Sequence, residues 1–250
     1  MLLPTLLVML LAAISAPFST AQNYCNICSD HTMCKYQGMG NKCQPLYLRG
    51  VDSNQRNAIL NKHNELRDKV ARGQETRGSP GGQPTASNMK KLTWSDELAS
   101  IAQRWADQCE YQHDTCRNTE TYWWVGQNIA ISNSWPCDTL PNSPDWKFPM
   151  DSWYSEVKDF DKSIITKYRS TSAQTGHYTQ IVWANTSEIG CGYTAFFGGQ
   201  GSQKKCSQYY VCNYGMGGNI IDQEVYKIGS PRDTCRNSKE DSKYPGLCPN

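Results

Sequence analysis

Apolar positions recur at helical spacing in three stretches of the chain and at strand spacing in three others. Asp52 and Ser53 can cap a helix reaching about Arg72, because Ile59, His63, Leu66 and Val70 fall on one face and Gly73 stands where a helix stops. The Gly-, Pro- and Ser-rich run from Gly73 to Ser87 then reads as a loop. Ser95 caps a second predicted helix, with Asp96 and Glu97 suited to the positive end of its dipole and Leu98, Ile101, Ala102, Trp105 and Cys109 on the buried face. A strand is predicted over Val125 to Ile131. After the Pro-rich loop from Pro136 to Pro144, a third helix from about Pro149 to Phe160 presents Met150, Trp153, Tyr154, Val157 and Phe160 to the core. A short helical stretch follows around His177 to Trp183, then strands at Ile189 to Phe197 and Tyr209 to Tyr214, with Gly198 to Lys205 as the turn of a hairpin. Intermixed helices and strands with antiparallel pairing at the end predict an α+β layered sandwich.

The ends differ from this middle. Met1 to Ala21 carry no charge, and the apolar run to Ile14 followed by Ser19-Thr20-Ala21 reads as a signal peptide cut before Gln22. The alternative, a membrane anchor, is opposed by Pro4, by Ser15 and by the shortness of the run. Residues 22–50 show little periodicity and hold four cysteines, so an irregular, disulfide-pinned segment is expected before a main domain over 51–228. The stretch 229–250 is polar, and Cys235 and Cys248 can close a small loop within it. Twelve cysteines behind a signal peptide predict six disulfides in a secreted protein, and Cys25-x-x-Cys28 lacks the second pair a zinc site would need. With 8 Trp, 14 Tyr and 5 Phe the chain can build a core although only 38% of it is hydrophobic. A formal net charge of +2 excludes a nucleic-acid binder working through a basic surface. Asn185-Thr186-Ser187 is the one N-glycosylation sequon, so Asn185 is expected to carry a glycan.

Three segments carry more specific information: His63-Asn64-Glu65-Leu66-Arg67, Gly176-His177-Tyr178-Thr179-Gln180-Ile181-Val182-Trp183, and Tyr209 to Asn219 with its Cys212-Asn213-Tyr214-Gly215-Met216-Gly217-Gly218 centre. Together they resemble the signature motifs of the CAP superfamily of cysteine-rich secretory proteins, antigen 5 and pathogenesis-related proteins of class 1. Asn23-Tyr24-Cys25, His31 to Tyr36, the run Cys109 to Arg117 and the ending Tyr244-Pro245-Gly246-Leu247-Cys248 are similar to the insect antigen 5 branch. The resemblance implies a three-layer α-β-α sandwich and four disulfides, Cys25–Cys34, Cys28–Cys116, Cys43–Cys109 and Cys191–Cys212. Cys235 with Cys248 is then expected in the tail, which leaves Cys137 for Cys206.

The resemblance also implies a cleft holding His113, Gln127, Glu156 and His177. Gln127 departs from the family pattern, in which many members have Glu, and a carboxamide neither ionises nor ligates metal well. His113, His177 and Glu156 form the expected metal set, for weakly bound Zn²⁺ or Cu²⁺, and on that reading Gln127→Glu should tighten the site. The competing reading makes both histidines structural, hydrogen-bonded to neighbours. His63, on the inner face of the first helix, reads as structural, and His31 carries no functional signal. No catalytic residue is assigned: Gly-x-Ser-x-Gly, His-Glu-x-x-His and phosphate-binding glycine loops are all missing from the sequence. Arg49-Gly50-Val51-Asp52 is one residue out of register for an Arg-Gly-Asp loop, and the tail has too few cysteines for an ion-channel-directed domain. The expected protein is a secreted, extracellular monomer of insect saliva, venom or haemolymph with no membrane span. It binds a lipid or sterol between the first and third helices, a divalent metal or a host protein, and the alternative is a metal-dependent enzyme using the His113, Glu156, His177 cleft.

Overall fold

The first long helix starts at a complete capping box. Asp52 accepts from the Gln55 amide at 2.8 Å, and the Gln55 side chain accepts from the Asp52 amide at 3.1 Å. The computed structural model describes residues 23–134, 137, 140–198 and 205–250. The expected signal peptide, the interior of the hairpin turn at 199–204 and parts of the Pro-rich loop lie outside the described residues. In chain order the elements are α1 (Tyr24–Ile27), α2 (Thr32–Lys35), β1 (Leu46–Arg49), α3 (Ser53–Ala71), β2 (Thr93–Trp94), α4 (Asp96–Ala106), β3 (Gly126–Ser134), α5 (Lys147–Ser155), α6 (Gly176–Ile181), β4 (Glu188–Gly198) and β5 (Lys205–Gly215). Gly73, with φ +68°, takes the left-handed conformation that ends α3.

The sheet runs β1-β4-β5-β3, antiparallel throughout, with β2 adding a short parallel pairing to the start of β4. Alternation along the strands divides the core into two layers. Tyr209 and Val211 of β5 and Ile129 of β3 face α4, where they pack on Ala102 and Trp105. Tyr210, Cys212 and Tyr214 face the opposite way, into a larger core with Ile59 and Val70 of α3, Trp153 of α5 and Tyr178 of α6. Helix α4 lies directly on β4, because a Cβ at Gly190 or Gly192 would collide with its backbone. The architecture is the three-layer α-β-α sandwich.

All six expected disulfides are present: Cys25–Cys34, Cys28–Cys116, Cys43–Cys109, Cys137–Cys206, Cys191–Cys212 and Cys235–Cys248. Four features differ from the sequence reading. The segment 22–50 is not wholly irregular, since it contains two one-turn helices and β1, an edge strand of the sheet. The second helix ends at Ala106, before the buried Cys109, whose φ of 54° takes the chain out of the helical path. The third helix begins at Lys147, whose amide is capped by Asp145 at 3.0 Å, and narrows to a 3₁₀ turn over Glu156–Asp159. The C-terminal stretch is built into the body: Tyr244 and Leu247 are buried, Gly246 N–H donates to Asp68 at 2.6 Å, and Cys248 N–H donates to Met89 O at 2.8 Å.

Candidate functional site

Four separate elements supply the four cleft residues. His113 sits on the loop after α4, a loop held by Cys43–Cys109 and Cys28–Cys116 on either side of it. Gln127 is the second residue of β3, Glu156 opens the 3₁₀ turn after α5, and His177 lies in the first turn of α6. They form two hydrogen-bonded pairs, near enough for the His177 charge to act on His113. His177 Nδ1 is 2.6 Å from Glu156 Oε1, and His113 Nδ1 is 2.8 Å from Gln127 Oε1. The Trp153 ring stacks on His177 with 6.0 Å between centroids.

Hydrogen bonding fixes the proton positions. Glu156 Oε2 accepts the amide N–H groups of His177 and Tyr178 at 2.9 and 3.1 Å, so the carboxylate caps α6 while its other oxygen accepts from His177 Nδ1. Gln127 Nε2 donates to Asp114 Oδ1 at 2.9 Å and to Asn213 Oδ1 at 3.0 Å, which turns Oε1 toward His113 and makes His113 Nδ1 the donor. In their neutral forms both imidazoles therefore carry the free lone pair on Nε2. Asp114 is itself ion-paired with Arg117 at 2.5 Å in a nearly buried position. His113 keeps one edge in solvent, yet the atoms packed behind it lower its pKa through lost solvation. The Gln127 bond opposes that shift, and the nearby charges of Arg117 and His177 add to it.

His113 and His177 each keep an Nε2 that makes no hydrogen bond among the described residues. Among the described residues, no group of three or more His, Cys, Asp and Glu side chains is arranged to hold a metal ion. Both Glu156 oxygens are engaged in positioning α6 and His177. Asp114, Arg117 and Asn213, which orient Gln127, were not identified as site residues from sequence. The signal within reach was Asp114 next to His113 and Arg117 next to a bridged cysteine.

The other two histidines lie apart from this cleft. His63 is fully buried, with Nδ1 donating to Ile59 O at 2.8 Å and Nε2 accepting from Tyr214 Oη at 3.0 Å, and burial lowers its pKa to about 4. His31 is buried as the N-cap of α2, accepting the Met33 amide at 3.0 Å through Nδ1 and lying 2.8 Å from Asn118 O through Nε2.

The inner faces of α3 and α5 pack as core, but their outer flanks diverge. A cavity of about 470 Å³ opens there between Gln55, Ala58 and Lys62 on α3 and Pro144, Trp146 and Met150 across from them, with walls almost wholly of carbon. Lys62 and Lys147 stand at this cavity, and both reach Asp151, Lys62 at 3.4 Å. Asn185 is exposed at the tip of a turn closed by Thr186 N–H on Trp183 O at 3.2 Å.

An α-β-α sandwich with two histidines from separate elements, each hydrogen-bonded to a side chain of another element, and stapled by six disulfides defines a cysteine-rich CAP-type protein. The chain belongs to the cysteine-rich secretory protein family, CAP, whose sequence profile matches residues 60–214, and to its antigen 5-like branch. It is 44% identical over 224 residues to venom allergen 5.02 of Dolichovespula maculata, spanning 86% of this chain and 98% of that one. To venom allergen 3 of Solenopsis invicta it is 45% identical over 220 residues, spanning 83% and 90%. Among solved structures, that of NaASP2 with Zn²⁺ superposes with a TM-score of 0.63 at 28% identity, covering 80% of this chain and 97% of the other.

Proposed function

We propose that this is a secreted, extracellular antigen 5-like protein of a venom or saliva that works by binding, and that it sequesters an acyl chain in the groove between α3 and α5. The observation that carries this reading is the groove itself: a carbon-lined cavity of about 470 Å³ with Lys62 and Lys147 at it. Apolar pockets of this size, marked by a few polar groups, are typical of small-ligand sites. The lysines supply the positive charge that a fatty acid carboxylate seeks, and Asp151 holds them in place until the ligand arrives. The names of the venom allergen relatives and the six disulfides support an extracellular setting. On this reading residues 1–21 are the removed leader, 22–50 and 229–250 are stapled flanks, and 51–228 are the CAP domain. No helix among the described residues is long and apolar enough to cross a membrane.

Ala58 is exposed on the groove wall, so Ala58→Trp fills the cavity without entering the core. Native mass spectrometry of the secreted protein incubated with palmitate should show one bound palmitate in the parent and none in Ala58→Trp. Equal uptake by both, or uptake by neither, overturns the acyl-chain reading.

A second reading is supported by the free Nε2 positions of His113 and His177: a weak divalent-metal site, a ligand class also named for the structural relative NaASP2. Two imidazoles bind Zn²⁺ or Cu²⁺ loosely without a third protein ligand. A metal-dependent enzyme would need a carboxylate base in the cleft, and both oxygens of Glu156 are committed to α6 and His177. That engagement supports the binder over the enzyme.

A further inference from the structure

A cavity of about 520 Å³ lies away from both the histidine cleft and the acyl groove, at the edge of the sheet where β1 meets α4. Three arginines from three different elements line it: Arg49 of β1, Arg56 of α3 and Arg104 of α4. Like charges gathered on one cavity repel unless something neutralises them, and only two of the three have a protein counter-ion. Arg49 is held by Asp107, with Nε at 3.1 Å and Nη2 at 2.5 Å. Arg56 is held by Asp96 at 2.7 Å while its guanidinium lies 5.4 Å from the centre of the Trp94 ring. Arg104 Nη1 donates only to the Tyr36 carbonyl, and among the described residues no carboxylate lies within ion-pair distance of it.

The side-chain acceptors of Asp107 and Gln103 on the cavity wall are already used. Asp107 Oδ1 accepts from Arg49, Gln103 and Thr194, and Gln103 Oε1 accepts from the Tyr193 amide. The second oxygen of Asp96 is exposed and, among the described residues, accepts no hydrogen bond. The donors are in surplus, since Nη1 of Arg49, Nη2 of Arg56, and Nε and Nη2 of Arg104 make no hydrogen bond among the described residues. A wall that offers several guanidinium N–H groups and one uncompensated positive charge is complementary to a group that only accepts, namely an oxyanion.

We infer that this basin binds an oxyanion, a sulfate, phosphate or carboxylate group carried on a polar body such as an acidic saccharide. The volume exceeds what a bare sulfate or phosphate fills, and the polar walls do not suit an acyl chain. Arg104 supplies the unpaired charge, while Arg49 and Arg56, pre-set by their aspartates, supply oriented donors.

The test uses the full secreted chain in titration calorimetry with four probes: sodium sulfate, sodium phosphate, a sulfated heparin-derived disaccharide, and the same disaccharide desulfated. The sulfated disaccharide should bind in one-to-one ratio, and added salt should weaken it. Arg104→Ala should lower that affinity at least tenfold, Arg104→Lys should recover part of it, and Arg236→Ala, an exposed arginine elsewhere, should leave it unchanged. Thermal unfolding of Arg104→Ala and Arg104→Gln checks that the fold survives. Stronger binding of the disaccharide than of the inorganic ions identifies a saccharide ligand, and equal binding identifies the free oxyanion. Equal binding of the desulfated probe, equal losses in Arg104→Ala and Arg236→Ala, or no binding by any probe overturns the inference.

Discussion

His113 Nδ1 and Gln127 Oε1 lie 2.8 Å apart because the far side of the Gln127 amide is fixed by two other oxygens, Asp114 Oδ1 at 2.9 Å and Asn213 Oδ1 at 3.0 Å. A carboxamide satisfies both ends of that arrangement, donating one way and accepting the other. A carboxylate cannot, since it only accepts.

This geometry changes what Gln127→Glu should do. The new carboxylate would face the Asp114 carboxylate and the Asn213 carbonyl oxygen across the distances of the present hydrogen bonds, losing both and adding repulsion. We expect a loss of about 1–3 kcal/mol of stability, the cost of leaving buried polar groups unpaired, and no gain in metal affinity. Urea unfolding beside a Zn²⁺ titration checks both. A variant that is as stable as the parent and binds Zn²⁺ more tightly would show that the Gln127 amide is turned the other way, with Nε2 toward His113.

Metal binding itself is expected to depend on both histidines and very little on the Glu156 charge. His113→Ala and His177→Ala should each reduce Zn²⁺ affinity to near background, because two nitrogens are all that the protein supplies. Glu156→Gln retains an acceptor for His177 Nδ1 and should weaken affinity by about 10-fold, the low end of the 10–100-fold typical of outer-shell partners. Calorimetry of the three variants decides it, and a complete loss in Glu156→Gln would make Glu156 a direct ligand.

What the sequence disclosed and what it hid have physical reasons. Helices α3 and α4 were legible because their caps, Asp52 with Gln55 and Ser95, are local signals beside clear apolar stripes. Strand β1 was not, because Leu46 and Tyr47 are exposed and its pairing is with residues of β4 about 150 positions later, which no local pattern encodes. The cleft residues came from motif resemblance rather than from periodicity. Asn213 bonds to Gln127 across 86 positions, so its part in holding the amide appears only once β3 and β5 are paired. The outer-flank groove between α3 and α5 depends on how two helices diverge, and the stripes predicted only their inner faces.

Acid should destabilise the protein through His63. Its folded pKa of about 4 lies below the ordinary value of 6.5, so the unfolded chain takes up the proton first. The stability is therefore whole above pH 6.5 and falls as the pH drops toward 4, by up to about 3 kcal/mol at 1.36 kcal/mol per pKa unit. Urea midpoints of the parent between pH 7 and 4 should fall more steeply than those of His63→Gln, which loses stability at neutral pH but has no proton to take up. Parallel slopes would mean that His63 does not titrate on unfolding.

Asn185 should carry an N-glycan. It is exposed at a turn, with Thr186 and Ser187 behind it turned inward onto Met216 O and Gly215 O. Protein secreted from insect cells should lose mass on glycosidase treatment, and Asn185→Gln should show no such loss. An unchanged mass in the parent would mean that the inward-facing Ser187 leaves the sequon unused.

Arg67 is the residue whose loss should be felt furthest. Its fully buried guanidinium donates to five backbone carbonyls, those of Lys90, Ile181, Trp183, Ala184 and Thr186, and burial pulls its pKa down to about 9. Four of those carbonyls belong to the end of α6 and the connection into β4, and that of Lys90 to the segment before β2, so one side chain ties α3 to the segment that carries His177. Lysine keeps the charge but offers three donors from a single nitrogen, and several of these carbonyls would be left buried and unpaired. Arg67→Lys is expected to cost about 3–5 kcal/mol, the range for breaking a buried charged arrangement. Because α6 loosens with it, Zn²⁺ affinity should fall together with stability even though Arg67 touches neither histidine. Thermal unfolding and calorimetry of Arg67→Lys beside Arg72→Lys, the exposed C-cap residue of the same helix paired with Asp68, separate the two effects. Equal, small losses in both variants would show that the five carbonyls find water or one another, and that the arginine is not what holds α6 in place.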